Sequence, residues 1–251
     1  MFHPIRTIKT LREELGVFFS YKANRIYLFF VIGFLTFYQS LQFILDHPSW
    51  YITFSPDLTI WLQEHLSTPA LDMLLSIYYP VGFMACLVLL NYLMVKQGKQ
   101  GWKWGIAIAA CWIAHFGLEM VFPVAPPLRW ESGARAIRLE TLPITDILVG
   151  VKYGGLPSGH FGYVLLGFLI ARFNFIKTRS GTYNKYMWFL LINLVVTTFT
   201  VLYLGEHTVE DLFASIVVFG GLFWLVSRYV SSSADEEVHP FSRARRLLSR
   251  G

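Results

Sequence analysis

Cysteine is almost absent from this 251-residue chain: Cys86 and Cys111 are the only two, and both lie within long apolar runs. That excludes a disulfide framework and a thiolate metal site, both of which need more cysteines at characteristic spacings. Charge is scarce as well, with 15% Asp, Glu, Lys and Arg against 55% hydrophobic residues. So little charge leaves nothing to solvate a separate soluble domain, and the body reads as one integral-membrane bundle. Residues 46–70 and 206–210 contain no lysine or arginine. There is no internal repeat and no low-complexity tract. Residues 1–25 show no small-residue cleavage site after a compact apolar core, so no removable signal peptide is read there. No paired-histidine ligand motif such as H-E-x-x-H occurs, and no metal or other cofactor is expected.

What the chain does have is apolar length. Six segments approach the roughly 20 residues that a bilayer crossing requires: about 26–46, 71–95, 104–122, 158–173, 186–205 and 208–229. The expected fold is all-α and integral to the membrane, with six transmembrane helices. Basic residues cluster at the N-terminus (Arg6, Lys9, Arg12, Lys22, Arg25), between the second and third segments (Lys96, Lys99, Lys103), between the fourth and fifth (Arg172, Lys177, Arg179, Lys185), and towards the C-terminus (Arg228, Arg243, Arg245, Arg246, Arg250). By the positive-inside rule both termini face the cytoplasm and the remaining connections face outward. The expected organisation is a cytoplasmic segment 1–25, a six-helix domain 26–230 and a solvated, partly disordered tail 231–251. The net charge of +5 then serves anionic lipid on the cytoplasmic side, not nucleic acid.

Two outer connections are long. In the first, Phe54, Leu58, Trp61, Leu62 and Leu66 recur at helical spacing, which fits either an interfacial amphipathic helix or a packed loop with tryptophans at headgroup level. The second, 123–156, opens with FPVAPPLRW; its prolines end the third span and force an extended entry. A short helix is expected after Ser132. Connections of this length usually carry function.

Polar chemistry collects on that outer side. The fourth span opens with Pro157, Ser158, Gly159 and His160. Ser158 is placed to cap the helix, and the free N–H groups of a first turn attract phosphate, which Gly159 lets come close. The sixth span opens with GEHTVED, putting His207 and Asp211 four residues apart on one helical face. A carboxylate one turn from an imidazole fixes its tautomer and stabilises its cation, as a histidine nucleophile or base requires. Arg129 shares this compartment, and its planar fork suits a phosphate. Each element alone has an ordinary structural explanation: a helix cap, an acidic first turn, a solvated arginine. Together they place an anion site, two histidines, a carboxylate and an arginine at one membrane level.

These residues resemble the type-2 phosphatidic acid phosphatase superfamily of metal-independent lipid phosphatases and phosphotransferases. The family's middle motif, Pro-Ser-Gly-His, stands complete at 157–160. Its last motif, Ser-Arg-x5-His-x3-Asp, keeps His207 and Asp211 but has Thr200 and Val201 at the first two positions. Its first motif, Lys-x6-Arg-Pro, keeps only Arg129, with Phe122 and Trp130 at the other two. APPLRW and YLGEHTVEDL look similar to the inositol phosphorylceramide synthase-like branch, whereas the glycine of PSGH looks more like the phosphatases. The resemblance covers about residues 75–228. It implies His207 as nucleophile, Asp211 orienting it, His160 as general acid then base, and Ser158, the Gly159 amide and Arg129 holding the phosphate oxygens. Arg135, Arg138 and Lys152 are candidate replacements for the missing cations. His115 and Glu119, four apart in the third span, either support the site or contact the substrate, or else form an interhelical hydrogen-bonding pair. Tyr78, Tyr79 and Pro80 either line a lipid entrance or pack.

The expected partners are the bilayer, an amphiphilic phosphate or diphosphate, and an alcohol or ceramide-like acceptor if the reaction is a transfer. The expected location is the plasma membrane in a prokaryote, or an endomembrane with a lumenal site in a eukaryote. Two other readings stand beside this one. A metal site built from His115, His160, His207 and Glu119 would be sensitive to chelator. A non-catalytic lipid-phosphate binder or transporter would use the same outer anion site without turnover.

Overall fold

The computed structural model describes residues 4–30, 33, 50–98, 101–129, 132–144 and 155–248, and for residues 4–9 and 231–248 the backbone alone. It is all-helical, with no strand among the described residues. In chain order the helices are α1 (Pro4–Ser20), α2 (residues 22–30), α3 (Asp57–Leu66), α4 (Pro69–Val95), α5 (Gly101–Val121), α6 (Ile137–Thr141), α7 (Gly159–Thr178), α8 (Gly181–Tyr203) and α9 (Val209–Leu248). A 3-10 turn, Pro127–Arg129, precedes α6.

Among the described residues, five helices are long and apolar enough to cross a membrane: α4, α5, α7, α8 and residues Val209–Val230 of α9. They correspond to the second to sixth segments expected from sequence, with ends shifted by a few residues. The expected first span, 26–46, begins on α2 and, apart from Gly33, lies outside the described residues beyond Phe30. The tail expected to be solvated and partly disordered continues α9 as helix to Leu248. Residues such as Ala234, Glu236, Glu237, Arg243 and Leu247 are good helix formers, so the backbone continues without a break.

α7 occupies the middle of the bundle, touching α4, α5, α8 and α9. Gly162 makes its closest crossing possible, because a Cβ there would overlap the ring of Phe219 on α9. Two apolar clusters fill the interior. The larger joins Phe18, Leu90, Trp104, Ile108, Val164, Ile170 and Phe219; the smaller, around Tyr79, Ile137, Phe161, Val201 and Tyr203, lies under the two motif-bearing helix starts. α1 belongs to the opposite end: Phe18 packs on Gly101, Asn24 Nδ2 donates to the Gly98 carbonyl at 3.1 Å, and Lys96 pairs with Glu14 at 3.0 Å.

At the motif end, short elements close over the bundle. α3 resolves the choice between helix and loop in favour of helix. Thr59, Leu62 and Gln63 face inward, while Leu58, Trp61 and Leu66 are exposed as an interfacial helix requires. After α5, the proline-rich link runs extended, and a parallel bridge ties Val124 to Ile52. The helix expected after Ser132 is α6, packed on α4.

Candidate active site

Two helix N-termini form the base of the site. Ser158 caps α7 by accepting the Phe161 N–H at 3.4 Å, and its own N–H donates to the Asp211 carbonyl at 3.2 Å. Ser215 on α9 sends its hydroxyl between the Ser158 and Asp211 carbonyls, at 2.9 and 2.8 Å. The PSGH turn and the start of α9 are therefore one fastened unit, although 57 residues separate Ser215 from Ser158.

The loop from α8 into α9 is shaped by Gly205, whose φ of +73° only glycine adopts without strain. Past that turn the Glu206 and His207 amides both donate to the Val201 carbonyl, at 3.0 and 3.2 Å. His207 Nδ1 faces Asp211 Oδ2 at 3.5 Å, and the same oxygen accepts the Thr208 N–H at 2.8 Å. Asp211 is fully buried, so its charge is not dispersed by water. His207 thus turns Nδ1 to the carboxylate, which leaves Nε2 for chemistry.

His160 stands opposite. Its ring stacks on Tyr79 and lies beside Phe83, both at 4.1 Å between centroids, and is 6.2 Å from the His207 ring. The aromatic faces fix its plane, so only its edges can bond. His160 Nε2, His207 Nδ1 and Asp211 Oδ1 are buried without a hydrogen-bond partner among the described residues. His207 Nδ1 still has its ion pair with Asp211, so the open position is His160 Nε2; an unsatisfied buried group is costly in a folded chain and is characteristic of a binding site.

Behind the PSGH turn is His115. A Cβ on Gly159 would come within 2.6 Å of its Cε1 and 2.9 Å of its Nε2, so glycine is required here by contact. His115 is held by Glu119 at 3.1 Å and by the Tyr163 hydroxyl at 3.4 Å from Nδ1. His115 pairs with Glu119 within one helix, α5, and not between helices, and its ring lies against the PSGH turn.

The arginines divide. Arg129 ends the 3-10 turn that the Leu128 N–H fastens to the Gly205 carbonyl at 3.1 Å, two residues from His207. Arg138 is 1% exposed and pairs with Glu206, next to His207. Arg135 is different: its guanidinium, 52% exposed, bonds Glu140 at 2.7 Å and the Ser67 hydroxyl at 3.0 Å, with Asp72 at 3.8 Å. Its hydrogen bond to Glu140 pushes its pKa higher still, against a smaller desolvation effect. Arg135 is thus engaged by carboxylates at the rim, not by the histidines. Lys152 lies outside the described residues. Among the described residues no three His, Cys, Asp or Glu side chains group at metal-binding spacing, so His115, His160, His207 and Glu119 do not form the cluster that the metal reading needs.

With both histidines, Asp211 and the capped α7 start in one place, the sequence profile of the PAP2 superfamily matches residues 47–225. The chain belongs to the PAP2 superfamily. No curated protein and no solved structure matches it. PAP2 proteins are in general membrane-associated phosphatases, so lipid phosphoryl transfer of phosphatase type is the activity that membership supports. Phe83 and Glu206 are site neighbours that motif reading missed, and Tyr79, read from sequence as an entrance or packing residue, packs on His160. Tyr79 and Glu206 adjoin conspicuous sequence features, but nothing in a string of aromatics shows which ring meets a histidine.

Proposed function

We propose that this protein is a metal-independent phosphotransferase or phosphatase of membrane lipid phosphates that works through a phosphohistidine at His207. His207 Nε2 attacks phosphorus, and the bond from phosphorus to the lipid alcohol oxygen breaks as His160 gives that oxygen a proton. In the second half His160 takes a proton from water or an alcohol, whose oxygen bonds phosphorus as the phosphorus–nitrogen bond breaks. Asp211 holds the His207 tautomer and balances the imidazolium. Ser158, the Gly159 amide and Arg129 carry the non-bridging oxygens, where charge must be met in phosphoryl transfer.

The observation that carries the reading is the convergence of two buried, incompletely bonded histidines on a capped helix start, with a buried carboxylate behind one of them. The site faces outward if the basic segments lie in the cytoplasm, as their distribution requires. The likeness of APPLRW and YLGEHTVEDL to the inositol phosphorylceramide synthase-like branch favours an alcohol acceptor over water.

The test uses the purified full-length protein in detergent with EDTA, a panel of lipid phosphates and phosphatidylinositol, each with and without ceramide. Released phosphate and new phospholipid are followed for wild type beside His207→Ala. Phosphate release lost in the variant supports the phosphatase form, and a new phospholipid that appears only with an acceptor supports transfer. Binding of lipid phosphate with no turnover on any substrate would leave a binder and refute the proposal.

A further inference from the structure

The site contains a buried cation that the family motifs do not account for. Arg138, from the short α6, is 1% exposed, with its Nε ion-paired to Glu206 Oε1 and its guanidinium 5.2 Å from the centre of the Tyr79 ring. The Tyr79 ring thus lies between this ion pair and His160, on which it stacks, and Glu206 directly precedes His207 in the chain. One carboxylate therefore holds an arginine, packed on the Tyr79 ring, beside the two histidines.

A buried ion pair is seldom retained for stability alone, because desolvation offsets most of the Coulombic gain and apolar isosteres do as well. What such a pair achieves is to keep a guanidinium desolvated and aimed. The other side of the argument is a missing charge. Val201, which stands where the family's last motif has arginine, is fully buried in the apolar cluster of α8, and Phe122, at the first motif's lysine position, is 42% exposed. Neither place can present a cation to phosphate. A tetrahedral phosphate offers the guanidinium fork several charged oxygens, against the single carboxylate oxygen that Arg138 Nε meets in Glu206.

We propose that Glu206 is an internal surrogate for the substrate phosphate: on binding, a phosphate oxygen takes over the Arg138 guanidinium from the Glu206 carboxylate, and Arg138 supplies the positive charge that Val201 cannot. The proposal rests, for the identity of its ligand, on the phosphoryl-transfer reading above. It gives the two residues opposite signs. Removing the carboxylate charge takes one anionic competitor from the guanidinium and strengthens anion binding, whereas removing the guanidinium weakens it. A pair kept only for structure gives neither effect.

Orthophosphate titrated into the purified full-length protein in detergent, followed by calorimetry, reads this without any turnover. The expected result is binding about tenfold tighter than wild type in Glu206→Gln, about tenfold weaker in Arg138→Gln and intermediate in Arg138→Lys, which keeps the charge and loses the fork. Thermal unfolding of each variant is recorded alongside. The Arg138→Met/Glu206→Leu protein replaces the pair by apolar side chains and is expected to fold and to bind as weakly as Arg138→Gln. Affinity in Glu206→Gln no greater than wild type overturns the proposal, and so does undiminished binding in Arg138→Gln. Should Glu206→Gln fail to fold, the double variant decides: wild-type affinity there overturns the proposal and weakened affinity upholds it. Lipid phosphate turnover by wild type is scored separately. Turnover with orthophosphate affinity indifferent to both residues refutes this inference alone; Arg138-dependent orthophosphate binding without turnover refutes the reaction alone.

Discussion

Asp211 carries two tasks that a single substitution separates. Its Oδ2 accepts the Thr208 amide and faces His207 Nδ1; an asparagine can keep the first contact but cannot stabilise an imidazolium. Asp211→Asn is expected to lower kcat about a hundredfold or more while leaving the melting temperature within a few degrees. A matched loss of stability and activity would instead make the carboxylate structural. Gly159 makes a sharper case, because the His115 ring that fills the place of its Cβ is itself held by Glu119 and Tyr163. Gly159→Ala must displace either the PSGH turn or that ring, and a loss of kcat of at least about tenfold is expected. Adding His115→Ala removes the obstruction and should restore part of the rate; kcat in the single variant within twofold of wild type would contradict the account. At this scale motif spacing brought forward the histidines, Asp211, Ser158, Gly159 and Arg129 as candidates, but His207 stands two residues before α9 and meets Asp211 from the loop, not from the shared helical face its spacing suggested. The sequence could not single out Arg138 from Arg135 and Lys152, since all three share a loop. Burial and the choice of carboxylate partner separate Arg138 from Arg135, and only folding decides those.

The short helices over the site are held by few contacts, and Gln63 is the chief of them. Its amide donates to the Tyr203 carbonyl at 2.8 Å and the Arg135 carbonyl at 3.1 Å, and its oxygen accepts the Arg135 N–H at 2.7 Å. One side chain on α3 thus joins the end of α8 to the chain entering α6, which delivers Arg138. Gln63→Ala leaves buried backbone groups unpaired and is expected to cost about 2 kcal/mol, with KM raised more than kcat is lowered, because substrate binding loses its positioned arginine. Denaturation in mild detergent and initial-rate kinetics check the two halves, and unchanged KM would sever the link between α3 and the site. The existence of α3 was only half legible: Leu58, Trp61, Leu62 and Leu66 recur at helical spacing, yet ten residues of such a pattern fit a helix or a packed loop equally. What settles it is the inward bonding of Thr59, to the Leu202 carbonyl at 2.8 Å, and of Gln63. Neither is an apolar signal. The five spans α4, α5, α7, α8 and α9 were legible because each is a long apolar run bounded by caps, prolines or glycines, as with Thr68 and Pro69 before α4 and Ser158 before α7. The helical course of the chain beyond Tyr229 was not, because a polar composition is shared by solvated helices and by disorder.

At the scale of the whole molecule, α7 and α9 start at the same end of the bundle, with His160 in the first turn of α7 and His207 in the loop just before α9. Placing both motifs at one membrane level follows from counting spans, which is why the sequence brought them together before any contact was known. Chemistry built on two histidines, a carboxylate and helix-end dipoles needs no metal, so turnover is expected to be unchanged after exhaustive dialysis against EDTA; activity lost to chelator and restored by a divalent ion would return the metal reading. The central claim is a covalent bond from phosphorus to His207. Its most direct measurement is to quench the turning-over enzyme in alkali, digest it and locate phosphate by mass spectrometry. The account predicts a base-stable, acid-labile phosphate on the His207 peptide that forms within the time of one turnover and is missing from His207→Ala. Turnover without phosphate on His207 at any time after mixing, or equal turnover in His207→Ala, would contradict it.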